Sequence, residues 1–120
     1  MATIPAARRV IEANFSNYVI REWSGLLLGD DGAVELLPPI GDRTVQVSGT
    51  FGVGGSVRLL GSLDNVDFFP LTDPQGNPLD FVQGKLESVM ELVPYIRPLV
   101  TAGDGTTNLR VTLCIKGVER

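Results

Sequence analysis

"TVQVSGTFGVGGSVRLLGSL", residues 44–63, decides the fold class. In its first half Val45, Val47 and Phe51 fall on one side of an extended chain with Gly49 between them. In its second half Val57, Leu59 and Leu63 do the same. An apolar residue at every second position is the pattern of a strand with one buried face. The intervening "GVGG", Gly52–Gly55, supplies residues that tolerate positive φ, as a tight hairpin demands, and predicts that the two strands are antiparallel neighbours.

The same rhythm extends in both directions. "NLRVTLCIKG", residues 108–117, is its clearest instance: Leu109, Val111, Leu113 and Ile115 point one way, and Arg110, Thr112, Cys114 and Lys116 the other. "DFFPLT" reads as a short strand with Pro70 at an edge or bulge, because proline cannot donate to a ladder. "PLDFV" is another, entered through the turn "DPQGNP", where Pro74 and Gly76 fit a turn and Asn77 tolerates left-handed φ. "YIRPLVT" is extended, since Pro98 biases Arg97 away from helical angles. With fourteen glycines and eight prolines breaking the chain into short pieces, the sequence predicts an all-β fold, an antiparallel β-sandwich or jelly roll with at most one short helix.

Two segments depart from this pattern. "KLESVMELV" places Leu86, Val89, Met90 and Val93 at helical spacing and predicts a helical turn or two before Pro94, although its flanks also suit a strand. "PAARRVIEANF" has Pro5 at a plausible first helical position but few apolar residues. Residues 1–17 are therefore read as an N-terminal arm or an edge segment, and residues 18–120 as one β-sandwich domain. A chain of 120 residues buries roughly two thirds of its unfolded surface, enough for one core.

Composition narrows the chemistry. The chain has no histidine, which removes the commonest general base and the commonest transition-metal ligand. Its one cysteine, Cys114, excludes an intramolecular disulfide and reads as a space-filling thiol. Ten basic against fourteen acidic residues give a net charge of −4, with the basic residues scattered apart from Arg8 and Arg9, so no direct nucleic-acid binding is expected. No apolar run is long enough to span a bilayer as a helix, and the start lacks the core of a signal peptide. The expectation is a soluble protein made in a reducing cytosol, with no membrane partner.

The acids read as corners of a β-structure. Asp64 and Asp67 flank Asn65 in "SLDNVD", a turn composition in which short polar side chains bond their own backbone. "DPQGNPLD" and "GDDG" (Gly29–Gly32) lack the EF-hand pattern, so no metal site is expected. "GVGG" leads into a strand and not a helix, and no Lys-Ser/Thr pair follows, so it is not a phosphate loop. Trp23, Tyr18, Phe68, Phe69 and Tyr95 read as core and interface anchors before they read as a sugar-stacking platform. Arg97, charged in an apolar strand, reads as the partner of a buried carboxylate or of a neighbouring subunit. No catalytic residue and no cofactor are expected.

Residues 44–113 also carry a resemblance. A strand, a glycine turn, Gly61-Ser62-x-Asp64, an aromatic strand ending in "LTDPQGN" (Leu71–Asn77), "YIRP" (Tyr95–Pro98) and "GDGTT" (Gly103–Thr107) before the last strand follow one another in that order. That order resembles a group of small tailed-bacteriophage virion structural proteins of the capsid cement or decoration type. Leu63 stands where that group has a polar residue, and "DFF" replaces its usual Asn-Trp, which counts against sugar binding at this turn. The resemblance implies a non-enzymatic protein of the virion, made in the host cytoplasm and placed on the capsid exterior. There it would bind the major capsid protein and other copies of itself, as a homo-dimer or homo-trimer, and stabilise the shell. The first third lies outside the matched region and is the candidate for attachment, with Ile4, Arg8, Arg9, Val10, Phe15 and Tyr18 as contact residues. The alternatives are a carbohydrate-binding module of a virion adhesin, or a tail or neck structural protein.

Overall fold

A computed structural model describes residues 2–9, 18–37 and 41–116, with the side chains of Arg9 and Tyr18 excepted. Among these residues the chain forms twelve strands and no helix, arranged as two sheets facing each other across one core. The strands are β1 (Thr3–Ile4), β2 (Ala7–Arg9), β3 (Tyr18–Leu26), β4 (Asp31–Gly32), β5 (Glu35–Leu36) and β6 (Asp42–Thr50). They continue as β7 (Ser56–Ser62), β8 (Phe69–Pro70), β9 (Asp80–Phe81), β10 (Lys85–Val89), β11 (Tyr95–Ala102) and β12 (Asn108–Lys116). The first sheet runs β1-β4-β11-β7-β8, with β5 also paired to β11 and β9 to β7. The second runs β10-β6-β12-β3-β2.

The period-2 pattern is realised most fully in β12, where Leu109, Val111, Leu113 and Ile115 are buried and the residues between them are not. These side chains meet Val45 and Val47 of β6 and Trp23 and Leu26 of β3 within one sheet. Across the core they face Val57 and Leu59 of β7, Ile96 and Val100 of β11 and Phe81 of β9. Opposite Arg110 the β3 strand carries an extra residue, and Gly25 takes φ +69°, the left-handed angle that a bulge of this kind demands.

Two expectations fail here. Residues 44–63 do not form a hairpin: β6 lies in the second sheet between β10 and β12, while β7 lies in the first between β11 and β8. The turn at Gly52 (φ +74°) and Gly54 (φ +69°) carries the chain from one sheet to the other. Alternation reports that each strand has one buried face, and two such faces are equally well satisfied side by side or opposed across a core. Leu63, assigned to the buried face of β7, is 76% exposed, because the strand ends at Ser62.

The helical turn expected within Lys85–Val93 is instead strand β10, antiparallel to β6 with Leu86 opposite Gln46 and Val89 opposite Arg43. Leu86 and Met90 are each 62% exposed, so the apolar residues at helical spacing do not share a buried face. The exposed edge of β6 supplies backbone partners for five residues of this segment, which outweighs a weak helical preference. Within the otherwise antiparallel arrangement, β1 runs parallel to β4. Cys114 faces out of the second sheet and is half-buried, not a core residue, and burial pushes its thiol pKa up.

Candidate functional surface

Acids in turn-forming sequence have nearby backbone N–H groups to satisfy, and the structure shows how each is used. Asp64 Oδ1 accepts the N–H of Val66 at 2.9 Å and of Asp67 at 3.0 Å and the hydroxyl of Ser62 at 2.8 Å. These bonds hold its carboxyl at about 2, the Asp67 and Val66 N–H groups contributing most. Asn65 takes φ +61° at the apex. Asp73 Oδ1 likewise accepts Gln75 N and Asn77 N, and Gly76, not Asn77, adopts the positive φ of that turn. Asp104 bonds the hydroxyl and N–H of Thr106 through Oδ1 and the N–H of Val53 through Oδ2, which ties the "GDGTT" turn to the turn between the sheets. Its carboxyl is also held at about 2, the Thr106 hydroxyl being the largest cause. A carboxylate this acidic stays ionised at neutral pH and is not a proton donor there.

Asp30 and Asp31 do something the sequence did not reveal. Asp30 accepts Ala2 N at 2.8 Å and Leu27 N at 2.9 Å, and Asp31 accepts Thr3 Oγ1 at 2.7 Å and Arg97 Nη1 at 2.8 Å. The "GDDG" acids therefore clamp residues 2–4 against the first sheet, assisted by the backbone bonds Asp31 N to Ala2 O and Ala33 N to Ile4 O. The sequence signalled one side of this contact, Arg97 as the partner of a buried carboxylate, but nothing local names Asp31 as that carboxylate or residues 2–4 as partners of the two acids.

Of the expected contact residues, Ile4 lies in β1, partly buried and packed against the core. Arg8 is exposed in β2, opposite Arg21. The backbones of Arg9 and Tyr18 pair with Ile20 and Lys116, respectively, at the edge and end of the second sheet. Val10 and Phe15 lie outside the described residues. The described part of the first seventeen residues thus contributes a strand to each sheet.

A group of exposed apolar residues lies elsewhere. Beyond Ser62 the chain turns outward, leaving Leu63 and Val66 each 76% exposed and Phe69 67% exposed. Beside them a cleft of about 520 Å³ opens between the Ser62–Asp67 turn, Phe69 and the segment Glu91–Val93. Its walls are mainly apolar. Asp64, Asp67 and Glu91 line it, and among the described residues no cation pairs with any of the three. Glu91 accepts both the N–H and the hydroxyl of Thr72, which anchors the far wall. Phe68, beside Phe69, is half-buried, with the Arg97 guanidinium 4.7 Å over its ring. Trp23 is fully buried and donates its indole N–H to Ala33 O at 3.0 Å. Trp23, Phe68 and Phe69 thus do not assemble into a stacking platform.

The fold recurs in a solved structure of YomS, a protein derived from the SPBc2 prophage. The two superimpose with a TM-score of 0.59 over 89% of this chain and 97% of that one, at 10% sequence identity. Such a likeness establishes a shared fold. Weaker superpositions join this chain to peruvianin-I, a cysteine peptidase from Thevetia peruviana latex, and to protein NMB1881 from Neisseria meningitidis. Peruvianin-I gives a TM-score of 0.45 at 14% identity over 85% of this chain and 52% of that one. NMB1881 gives 0.41 at 12% identity over 92% and 83%. No protein family matches the sequence, and no curated protein is significantly similar to it.

The described surface therefore combines a two-sheet body, turns in which Asp64, Asp73 and Asp104 bond nearby backbone, and a corner beside the cleft that is apolar and acidic.

Proposed function

We propose that this chain is a non-enzymatic bacteriophage virion structural protein, a cement or decoration protein that binds the outer surface of the major capsid shell and stabilises it. The observation that carries the reading is the shared fold with a prophage-derived protein over nearly the full length of both chains. The order of motifs from Thr44 to Leu113 supports it independently.

Cementing needs a stiff body presented many times over, since weak contacts repeated around a shell gain strength through effective concentration. The sandwich supplies the stiffness. The corner formed by Leu63, Val66 and Phe69, with Asp64, Asp67 and Glu91 beside it, supplies an apolar contact whose charge favours a basic rim on the capsid protein. Arg8, on the opposite sign of the ledger, is exposed for an acidic neighbour. The lack of histidine and the internal use of Asp64, Asp73 and Asp104 favour a role without catalysis.

The test is to mix the purified protein with expanded empty shells, sediment them, and count bound copies. Saturable binding at hundreds of copies per shell is expected. A few copies per particle in intact virions would move the protein to the tail or neck, and robust binding to a glycan array without shell binding would make it an adhesin module.

A further inference from the structure

The cleft beside the Ser62–Asp67 turn has a volume of about 520 Å³, within the roughly 300–1,000 Å³ range of ligand-holding clefts. Gly61 and Leu71 are buried at its floor, and Val93 is half-buried beside them. A Cβ at Gly61 would lie 2.5 Å from Leu71 Cδ2 and 2.7 Å from Val93 Cγ2, so the missing side chain lets these two close over β7 and makes the floor apolar. The rim is charged. Asp64 and Asp67 stand exposed in the turn on one side, and Glu91 is half-buried in the segment on the other. The hydrogen bonds of the Asp64 carboxylate all fall on Oδ1, which leaves Oδ2 open, and the carboxylate of Asp67 accepts none among the described residues. Glu91 is held in place by its two bonds from Thr72 with its charge uncompensated.

An apolar floor inside an acidic rim suits a two-part contact, in which an anchor leaves water at the centre and charges meet around it. We infer, taking this corner as the adhesive face proposed above, that the cleft anchors an extended segment of the partner protein in which a leucine-sized side chain is flanked by arginines two residues away on either side. The apolar side chain enters over Gly61, Leu71 and Val93. The arginines answer the rim. A neutral or acidic segment laid over Asp64, Asp67 and Glu91 would strip water from three carboxylates and return nothing. Arginine suits this rim better than lysine, because its planar fork meets a carboxylate with two bonds and its guanidinium is more weakly hydrated. Residues two apart in an extended chain share a face, so the anchor and both arginines reach the cleft from the same side.

The test titrates the isotope-labelled full chain with acetyl-Arg-Ser-Leu-Ser-Arg-amide and follows the backbone amide shifts by NMR. Saturable changes confined to Gly61–Asp67, Phe69 and Glu91–Val93 are expected at millimolar peptide. Two control peptides, acetyl-Glu-Ser-Leu-Ser-Glu-amide and acetyl-Arg-Ser-Ser-Ser-Arg-amide, are each expected to bind about tenfold more weakly, one lacking the charges and the other the anchor. Asp67→Asn removes a rim charge that bonds nothing within the chain, and should weaken the first peptide about threefold or more. No saturable change, changes centred on another face, or equal binding of the glutamate peptide would overturn the proposal. Sedimentation equilibrium tests the rival occupant: a dimer of the chain that the peptide dissociates would give the cleft to a second copy and overturn the proposal as well. Shells that bind the chain while the peptide does not would leave the cement role standing and remove this cleft from it. A peptide seated in the cleft of a chain that shells ignore would uphold the cleft's preference and remove the capsid as its partner.

Discussion

Arg97 Nη1 donates to Asp31 Oδ2 at 2.8 Å across 66 residues of chain, while the other oxygen of Asp31 accepts the hydroxyl of Thr3 at 2.7 Å. One carboxylate thereby joins β11, β4 and β1, and the guanidinium that neutralises it also covers Phe68. Both partners are shielded, with side-chain exposures of 28% for Arg97 and 11% for Asp31, so solvent screens their attraction only in part.

Removing either partner should therefore be costly. Asp31→Ala and Arg97→Ala are each expected to lose about 1–3 kcal/mol in urea unfolding. The double variant should lose less than the sum, because the two side chains share one interaction. Amide exchange in residues 2–4 should rise in Asp31→Ala. Additive losses with unchanged exchange would mean that the clamp does not hold the N-terminal strand.

Glycine positions give a second prediction. A Cβ at Gly32 would lie 2.5 Å from Pro98 Cδ and 2.6 Å from Trp23 Cδ1, both side-chain atoms, so Gly32→Ala should cost about 1–3 kcal/mol and shift the fluorescence of Trp23. A Cβ at Gly55 would lie 1.9 Å from the carbonyl oxygen of Phe51, which is backbone and cannot rotate aside. Gly55→Ala should be the more damaging of the two, with the lower thermal midpoint.

Acid sensitivity follows from the turn carboxylates. Asp64 and Asp104 titrate near 2 in the folded chain and near 3.8 when free of their bonds. A depressed folded pKa gives stability that is present above the unfolded value and is lost as pH falls through the folded one. Unfolding free energy should therefore decline between about pH 4 and pH 2. The decline should be shallower in Asp64→Asn and in Asp104→Asn. Carboxyl carbon titrations by NMR would place the two midpoints directly, and values at or above 3.8 would refute the assignment.

The corner beside the cleft makes a prediction about adhesion. Leu63, Val66 and Phe69 are already in water, so replacing all three by serine should change stability by no more than about 0.5 kcal/mol per site. Shell binding should fall about tenfold or more, as it does when anchors of an interface are removed. Full binding by the triple variant would shift the contact to another face, with Arg8→Glu as the next substitution to examine.

The sequence by itself determined the local facts: which residues alternate inward, as in β12, and where the chain bends, as at Asp64, Asp73 and Asp104. These depend on a period of two and on bonds that span two or three residues, so they are written into short stretches. The tertiary structure alone decided which strand lies beside which. It sent β6 and β7 to opposite sheets across a glycine turn that reads like a hairpin, and it turned Lys85–Val89 from a helical expectation into an edge strand. It also gave Asp30 and Asp31 to the N-terminal strand and left Leu63 in water. Backbone partners and burial are set by segments far apart along the chain, and no local pattern encodes the distance between them.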